Sequence, residues 1–489
     1  MAQEQKNKKQ SMDGKKKKQI LITCIVLLAV VIAGAVIWAI VADSGATVRG
    51  TVGISSEHFE VDNAMLAYLM YENMYEKVSA NPDLYAERNF DITKPLDKQI
   101  FEGSKTWFDY FLEMGLRNTK EYLVYAEAAY SNEHGLSDLD YLRIDREIAD
   151  LESAASAEGK SVKEYLAARY GRGVNLDDVR RAKEFYVLAE NEHLSMQESF
   201  SYDQTQVEKF ANNYYQLLLR TDCIFLSVDA DTESVTDESQ IASLREEARK
   251  TAEGLINCTS ADGFLKNVKA YLDENFDSAT AEEKYARVIH NDYSYVSDNK
   301  ISAWLFSGIR VNGDKTVIRF TDDKYTAIYV VKAAERDESV SRAVRDVYFD
   351  DVLHASREDT RKAAEDALAS YKADGSTAEA FIALAGKLGE DRKLALKDGF
   401  RPDLRKTDGT AWADWAWQDG RKEGDVEIVE DENGVHLLRY EGNSRLSWQI
   451  DAEKYLRARD YDELYESYAK DVMITLSLGQ CAKVPARVL

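Results

Sequence analysis

From Gln19 to Ala42 no charged residue interrupts the run QILITCIVLLAVVIAGAVIWAIVA. At about 1.5 Å per residue, 24 residues of helix span about 36 Å, enough to cross a hydrocarbon layer of ~30 Å. Beyond this run the apolar residues recur at helical spacing, and residues 57–220 read as helix after helix. Ser161-Val-Lys-Glu164 ahead of YLAARYG has the form of a capping box, and Gly171 is expected to stop that helix in the left-handed conformation. The next helix is expected to start at Asn175, with Asp177 and Asp178 in its first turn, where carboxylates favour the helix dipole. Its apolar face runs Val179, Ala182, Phe185, Tyr186, Ala189. The run Thr106–Tyr130 concentrates Trp107, Phe108, Tyr110 and Phe111, which reads as core, with a peptide-binding groove as the alternative.

After residue 220 short alternating segments take over, and one pattern is written twice. WLFSGIRVNGD (Trp304–Asp314) and WAWQDGRKEGD (Trp415–Asp425) share Trp, any residue, an aromatic, three residues, Arg, two residues, Gly-Asp. Each copy ends a longer unit. The first holds a strand at Thr221–Leu226, helices from Ser239 to Ile256 and after Thr259, the tryptophan motif, and a strand at Tyr325–Val331. The second holds a strand at Val344–Phe349, helices from Ser356 to Tyr371 and after Ser376, the motif, and a strand at Gly434–Tyr440. Matching landmarks lie 123, 117 and 111 residues apart, so the order is kept while loop lengths drift. That predicts two tandem α+β units of the β-α-α-β kind. If extended, the motif points Trp and the following aromatic the same way, and Gly-Asp makes a tight turn before the next strand. Residues Trp448–Val472 read as a last helix with tyrosines on one face.

Length and charge refine this picture. At 489 residues the chain exceeds one ordinary core, and its four prolines permit long helices. The cysteines, Cys24, Cys223, Cys258 and Cys481, have neither metal-site nor disulfide-framework spacing. The net charge of −24 is uneven, because residues 1–18 hold seven lysines against Glu4 and Asp13. The remainder, at −29, repels nucleic acid and suits a dispersed domain. Lys15–Lys18 ahead of the apolar run place the N-terminus in the cytoplasm and the rest outside it. A cleaved signal peptide is the alternative, but such apolar regions run to only ~7–15 residues. The sequence holds no GxSxG, Walker, HExxH or EF-hand motif, which weighs against hydrolase, ATPase, zinc and calcium chemistry.

The strings TWFDYFL, EHGLSDLDYLRIDREIADLESAA and GKSVKEYLAARYGRGVNLDDVRRAKE resemble, in order and spacing, the helical N-terminal domain of SurA- and PrsA-type extracytoplasmic foldases. GRKEGDVEIVEDENGVHLLRYEG (Gly420–Gly442) resembles the end of a parvulin-type peptidyl-prolyl isomerase domain, and Val344–Phe349 sits where that family has its opening strand. Charge and hydropathy give a basic tail over 1–18 and a transmembrane helix over 19–42, and the resemblance implies a helical chaperone-like domain over 57–220. Parvulin-like domains follow over 221–335 and 340–445, and a C-terminal helix over 446–475 packs back on the helical domain. It departs from the family where the opening-strand histidine becomes Cys223 in the first copy and Asp346 in the second. The closing histidine becomes Thr326 in the first and stays as His436 in the second.

The implied function is a membrane-anchored, extracytoplasmic folding factor that binds unfolded exported polypeptides. Weak prolyl isomerase activity would belong to the second unit. The alternative is a non-enzymatic holdase or assembly scaffold with both units inactive. Turning an X-Pro bond needs no cofactor, metal or nucleophile. It needs an apolar pocket and hydrogen-bonding groups that favour the twisted amide over the planar one, against a barrier of ~18–20 kcal/mol. His436 and Asp346 are the candidate catalytic residues, and Trp412, Trp415 and Trp417 the candidate substrate-binding ones.

Overall fold

The computed structural model describes residues 28, 31–35, 41, 44–288, 292–308 and 310–485. The basic tail and, apart from a few positions, the expected anchor over 19–42 lie outside the described residues. Among the described residues no helix is long and apolar enough to cross a membrane. The fold is mixed α+β, with a helical layer and small antiparallel sheets.

The helical layer is built from α1 (Asn63–Ala80), α2 (Trp107–Ser131), α3 (Asp138–Ala157), α4 (Val162–Tyr170), α5 (Leu176–Glu198) and α6 (Gln204–Asn213). Capping boxes open α2, α3, α4 and α5, at Thr106–Asp109, Ser137–Asp140, Ser161–Glu164 and Asn175–Asp178. Each ties the first free amides to side chains, so the helix starts are set locally. In the middle lies α1, with Leu66, Met70, Tyr71 and Met74 fully buried. It crosses α2 at Gly115, where a Cβ would come within 3.1 Å of the Met70 side chain. The aromatic start of α2 is core. Trp107 is enclosed by Tyr85, Phe90, Phe101, Tyr110 and Phe111 at centroid separations of 4.8–5.7 Å.

Gly171 ends α4 with φ +94° and ψ 160°. The positive φ agrees with the sequence expectation, but the ψ lies outside the left-handed helical region. The position also has no room for a side chain, because Pro485 would sit 2.3 Å from any Cβ there.

The first sheet unit comprises β3 (Leu219–Asp229), α7 (Glu238–Leu255), α8 (Ala261–Asn275), β4 (Asp292–Ser294), α9 (Lys300–Phe306), β5 (Lys315–Arg319) and β6 (Lys324–Arg336). The second comprises β7 (Val340–Asp350), α10 (Arg357–Ala373), α11 (Ala378–Leu388), α12 (Arg392–Ala395), β8 (Phe400–Leu404), α13 (Ala411–Ala416), β9 (Val426–Glu430) and β10 (Gly434–Leu446). The sheet orders are the same, β4-β3-β6-β5 and β8-β7-β10-β9. In each, two helices cover one face with small and aromatic residues. In the second unit these are Ala364, Ala367 and Tyr371 of α10 with Phe381 and Leu384 of α11, against Val347, Phe349, Val435 and Leu437. The short helix, α9 or α13, covers the other face.

Both pairs of long strands carry a register shift at the same place. In β3 it falls between Asp222 and Cys223; in β7 it falls between Ala343 and Val344. Cys223 is therefore the counterpart of Val344, and Asp346 that of Phe225, two residues from the pairing that the sequence comparison suggests. The extra residue sits on the closing strand in both units, Val331 in β6 and Glu441 in β10, and the spacing of sequence landmarks does not fix this pairing.

The last helix, α14 (Ser447–Asp471), returns to the helical layer. Trp448, Ala452 and Leu456 pack with Val207, Phe210 and Leu218, while Tyr461 and Tyr465 reach Tyr125 of α2. Beyond it β11 (Thr475–Leu476) pairs with β1 (Val52–Ser55), which also pairs with β2 (Glu60–Asp62). The second unit meets the helical layer differently. Arg143 bonds Asp350 at 2.9 Å, Arg392 lies 3.6 Å from Asp140, and Lys397 lies 2.5 Å from Glu198. The apolar clusters around its sheet draw on its own residues, while Leu446 at the end of β10 joins the cluster around Trp448.

Gly171→Ala is expected to lower the unfolding free energy by about 1–3 kcal/mol or more, from backbone strain plus the clash with Pro485. Gly103→Ala, where φ is +58° and the space is open, is expected to cost no more than ~1–2 kcal/mol. Urea denaturation of both variants checks the difference; equal losses would remove the clash as a cause.

Candidate functional site

The tryptophan motif folds the same way in both units. It is a short helix rather than an extended segment, so Trp and the aromatic two residues on do not share a side. Arg310 lies over the Trp304 ring at 4.5 Å, and Arg421 over Trp415 at 4.1 Å. The Gly-Asp step then locks onto the closing strand. Gly313 N donates to Val330 O at 2.8 Å and Val330 N to Asp314 O at 2.8 Å. Gly424 N donates to Tyr440 O and Tyr440 N to Asp425 O, each at 2.9 Å. Gly313 and Gly424 have φ of +91° and +90°, which glycine adopts without a side-chain penalty. The repeat thus writes one structural clasp twice.

Trp415 is buried in the sheet core and donates its indole N–H to Glu427 at 2.8 Å. Trp417 donates to Leu404 O at 3.0 Å and carries the Arg342 guanidinium 4.2 Å above its ring. Trp412 is half-buried and stands apart from both, against His436.

The strand pleat brings His436 and Asp346 together. His436 on β10 pairs with Tyr348 on β7, and Asp346 lies two residues from Tyr348 on the same side. The imidazole is 1% exposed, with Nδ1 2.9 Å from Asp346 Oδ2 and Nε2 3.1 Å from Asp431 Oδ2. The Tyr348 and Trp412 rings lie 4.7 Å and 4.9 Å from it, centroid to centroid. Asp346 is fully buried, and its Oδ2 also accepts from Arg401 Nε at 2.7 Å. Arg401 in turn covers Trp412 at 4.3 Å. The other oxygen, Asp346 Oδ1, takes no donor among the described residues.

Burial disfavours the charged imidazole, but the bonds and charges of Asp346, then of Asp431, outweigh it. The pKa of His436 therefore stands above its ordinary 6.5. Burial likewise works against the Asp431 carboxylate. The Asn433 amide, the imidazolium and the Gly434 amide outweigh it and hold its pKa below the usual range. Two cations and two carboxylates balance here. Both imidazole nitrogens are engaged, so neither is free to bond a twisted amide.

Asp431, Arg401 and Tyr348 escape sequence reasoning. Asp431 belongs to the turn ahead of His436, and Arg401 reaches the site only because β8 pairs with β7. In the first unit the counterparts of Asp346, Tyr348 and His436 are Phe225, Ser227 and Thr326. Ser227 and Thr326 bond each other through their hydroxyls at 2.9 Å. His354, on the loop after β7, is held 3.0 Å from Glu390 and lies outside the cluster.

Removing the imidazole leaves Asp346 facing only Arg401, and losing one partner of a buried ion pair costs about 3–5 kcal/mol. His436→Ala is expected to lose that much stability. Because the folded pKa is raised, the contribution of His436 is complete below its unfolded value near 6.5 and is lost as pH rises through the folded value. The unfolding free energy of the wild type minus that of His436→Gln, followed from pH 5 to 9, should fall with rising pH; a flat difference refutes the charged network.

No family model matches the chain, and no curated protein matches it. Among solved structures, the crystal structure of foldase protein PrsA from Streptococcus pneumoniae str. Canada MDR_19A is similar over 67% of this chain and 89% of that one, at 13% identity and a TM-score of 0.21.

Proposed function

We propose that the chain is an extracytoplasmic, membrane-anchored folding factor that holds unfolded exported polypeptides, and that its second sheet unit serves as a scaffold rather than as an isomerase acting through His436. The observation that carries this reading is where the molecule is open. The imidazole of His436 is shut in with both nitrogens bonded, whereas an open groove of about 310 Å³ lies on the helical layer. A holding factor needs concave, accessible surface, while an isomerase needs a hydrogen-bonding group that can reach the rotating amide.

The sequence resemblance over residues 57–475 supports the same reading, as does the −29 balance beyond residue 18, which keeps the chain dispersed around sticky clients. The charge-free run over 19–42 with four lysines before it supports anchoring with the bulk of the chain outside the cytoplasm. No cofactor is needed for either activity.

The full-length chain in lipid nanodiscs, mixed with a chemically unfolded client, is expected to suppress light scattering. It is also expected to leave the cis/trans relaxation of a short X-Pro peptide at its uncatalysed rate. Catalysis that disappears in His436→Ala would make the second unit an enzyme and overturn the scaffold assignment. Unsuppressed scattering would overturn the holding role.

A further inference from the structure

The groove on the helical layer has a composition of its own. It lies among α1, α2, α3 and α5, and three tyrosines, Tyr68, Tyr122 and Tyr186, form much of its wall. Three carboxylates, those of Glu72, Glu76 and Glu147, line it as well. A second concavity of about 290 Å³ shares Tyr68, Glu72 and Glu147 with the first, so the groove runs on across α1.

The groove already shows how it holds cations. Lys183 Nζ pairs with Glu147 and lies 5.6 Å from the centre of the Tyr68 ring. At the far end the Arg169 guanidinium lies 4.3 Å over Tyr75 and 3.5 Å from Glu72. Each is a cation between a carboxylate and a tyrosine, the arrangement in which ring quadrupole and charge act together.

Toward α5 the negative charge is not matched. Glu76 has no ion pair or hydrogen bond among the described residues. Burial, and after it the charges of Glu121 and Glu76, hold the Glu190 carboxyl above its usual range despite the opposing pull of His193. Burial and the charges of Glu190, Glu76 and Glu147 push the Tyr186 phenol up to about 12. Asn73 lines the same groove, and its side-chain oxygen is closed to solvent and takes no donor among the described residues. Acceptors and negative charge are in excess, and what is missing is a donor with positive charge.

We propose that this groove binds a lysine or arginine side chain of an unfolded polypeptide, flanked by apolar residues. Tyr122 and Tyr186 take the aliphatic stem, and Glu76 takes the charged head. The proposal rests on the holding role above and names the part of the client that is recognised. The long stem of a basic residue suits a wall of rings with acids at the rim, because it buries methylenes while its charge stays bonded. An acidic segment in the same place would meet like charge and unpaired acceptors.

The test uses the full-length chain in nanodiscs of neutral lipid. Its probes are two fluorescent ten-residue peptides that alternate leucine with lysine or leucine with glutamate, followed by anisotropy. The lysine peptide is expected to bind at least tenfold tighter at low salt, and to weaken as salt rises. Glu76→Gln and Tyr186→Ala, both at exposed positions, are each expected to weaken it by about threefold to fivefold, while Glu274→Gln on the first sheet unit leaves it unchanged. Equal binding of the two peptides, or unchanged binding in both groove variants, overturns the proposal.

Light scattering of an unfolded client, run on the same samples, separates the two claims. Suppression that survives without lysine preference keeps the holding role and removes the groove assignment. Lysine-selective binding without suppression keeps a cation-binding groove and removes the folding-factor reading.

Discussion

The helical layer is unfinished until the chain comes back to it. Tyr125 of α2 bonds Tyr461 of α14 across 336 residues of sequence, and Tyr71 of α1 bonds Pro485 across 414. The two sheet units are therefore an insertion between parts of one body, and their positions follow from where β3 leaves and β10 re-enters it. The closure is made in several currencies at once: the strand pair β1–β11, the apolar cluster around Trp448, and the tyrosine contacts of α14. Contacts at such separations carry the largest loop-closure entropy. The sheet units, whose long strand pairs close over about 100 residues, have the shorter loops to close.

Much of this architecture was legible in the sequence, and the reason differs by element. Capping boxes and apolar periodicity are local, so Ser161 and the α4 and α5 boundaries could be read directly. The tandem repeat was visible because its clasp needs fixed residues at fixed spacing: an arginine reaching back over a tryptophan, and a glycine free to take positive φ. What that clasp is for was not visible. Extended and helical readings of three residues cannot be told apart by pattern, and Trp415 and Trp417 prove to be fastened into the sheet unit. The bulges in β6 and β10 were invisible for the same reason, since they change pairing and not composition. Asp346 and His436 were both named as candidates through the resemblance, but Arg401 and Asp431 come from other turns of the chain and meet them only in three dimensions.

The two units show how one scaffold carries two interiors. Around the same bulged strand pair, one holds Phe225, Ser227 and Thr326 and the other Asp346, Tyr348 and His436. A hydroxyl pair closes the first with little charge to compensate. The second needs Arg401 and Asp431 to offset the cost of a buried ionic pair, and Trp412 and Tyr348 to cover it. The charged version ties β8, through Arg401, and the turn before β10, through Asp431, to the central strands.

The junction between the second unit and the helical layer has a mechanical meaning. Arg143, Arg392 and Lys397 and their carboxylates join two surfaces, each already wrapped around its own apolar core. Separating such surfaces trades ion pairs for hydration. The second unit is in this sense berthed rather than welded. Where the two surfaces meet through these pairs the hold is set by charge, which added salt screens, whereas the cohesion of each body is set by burial.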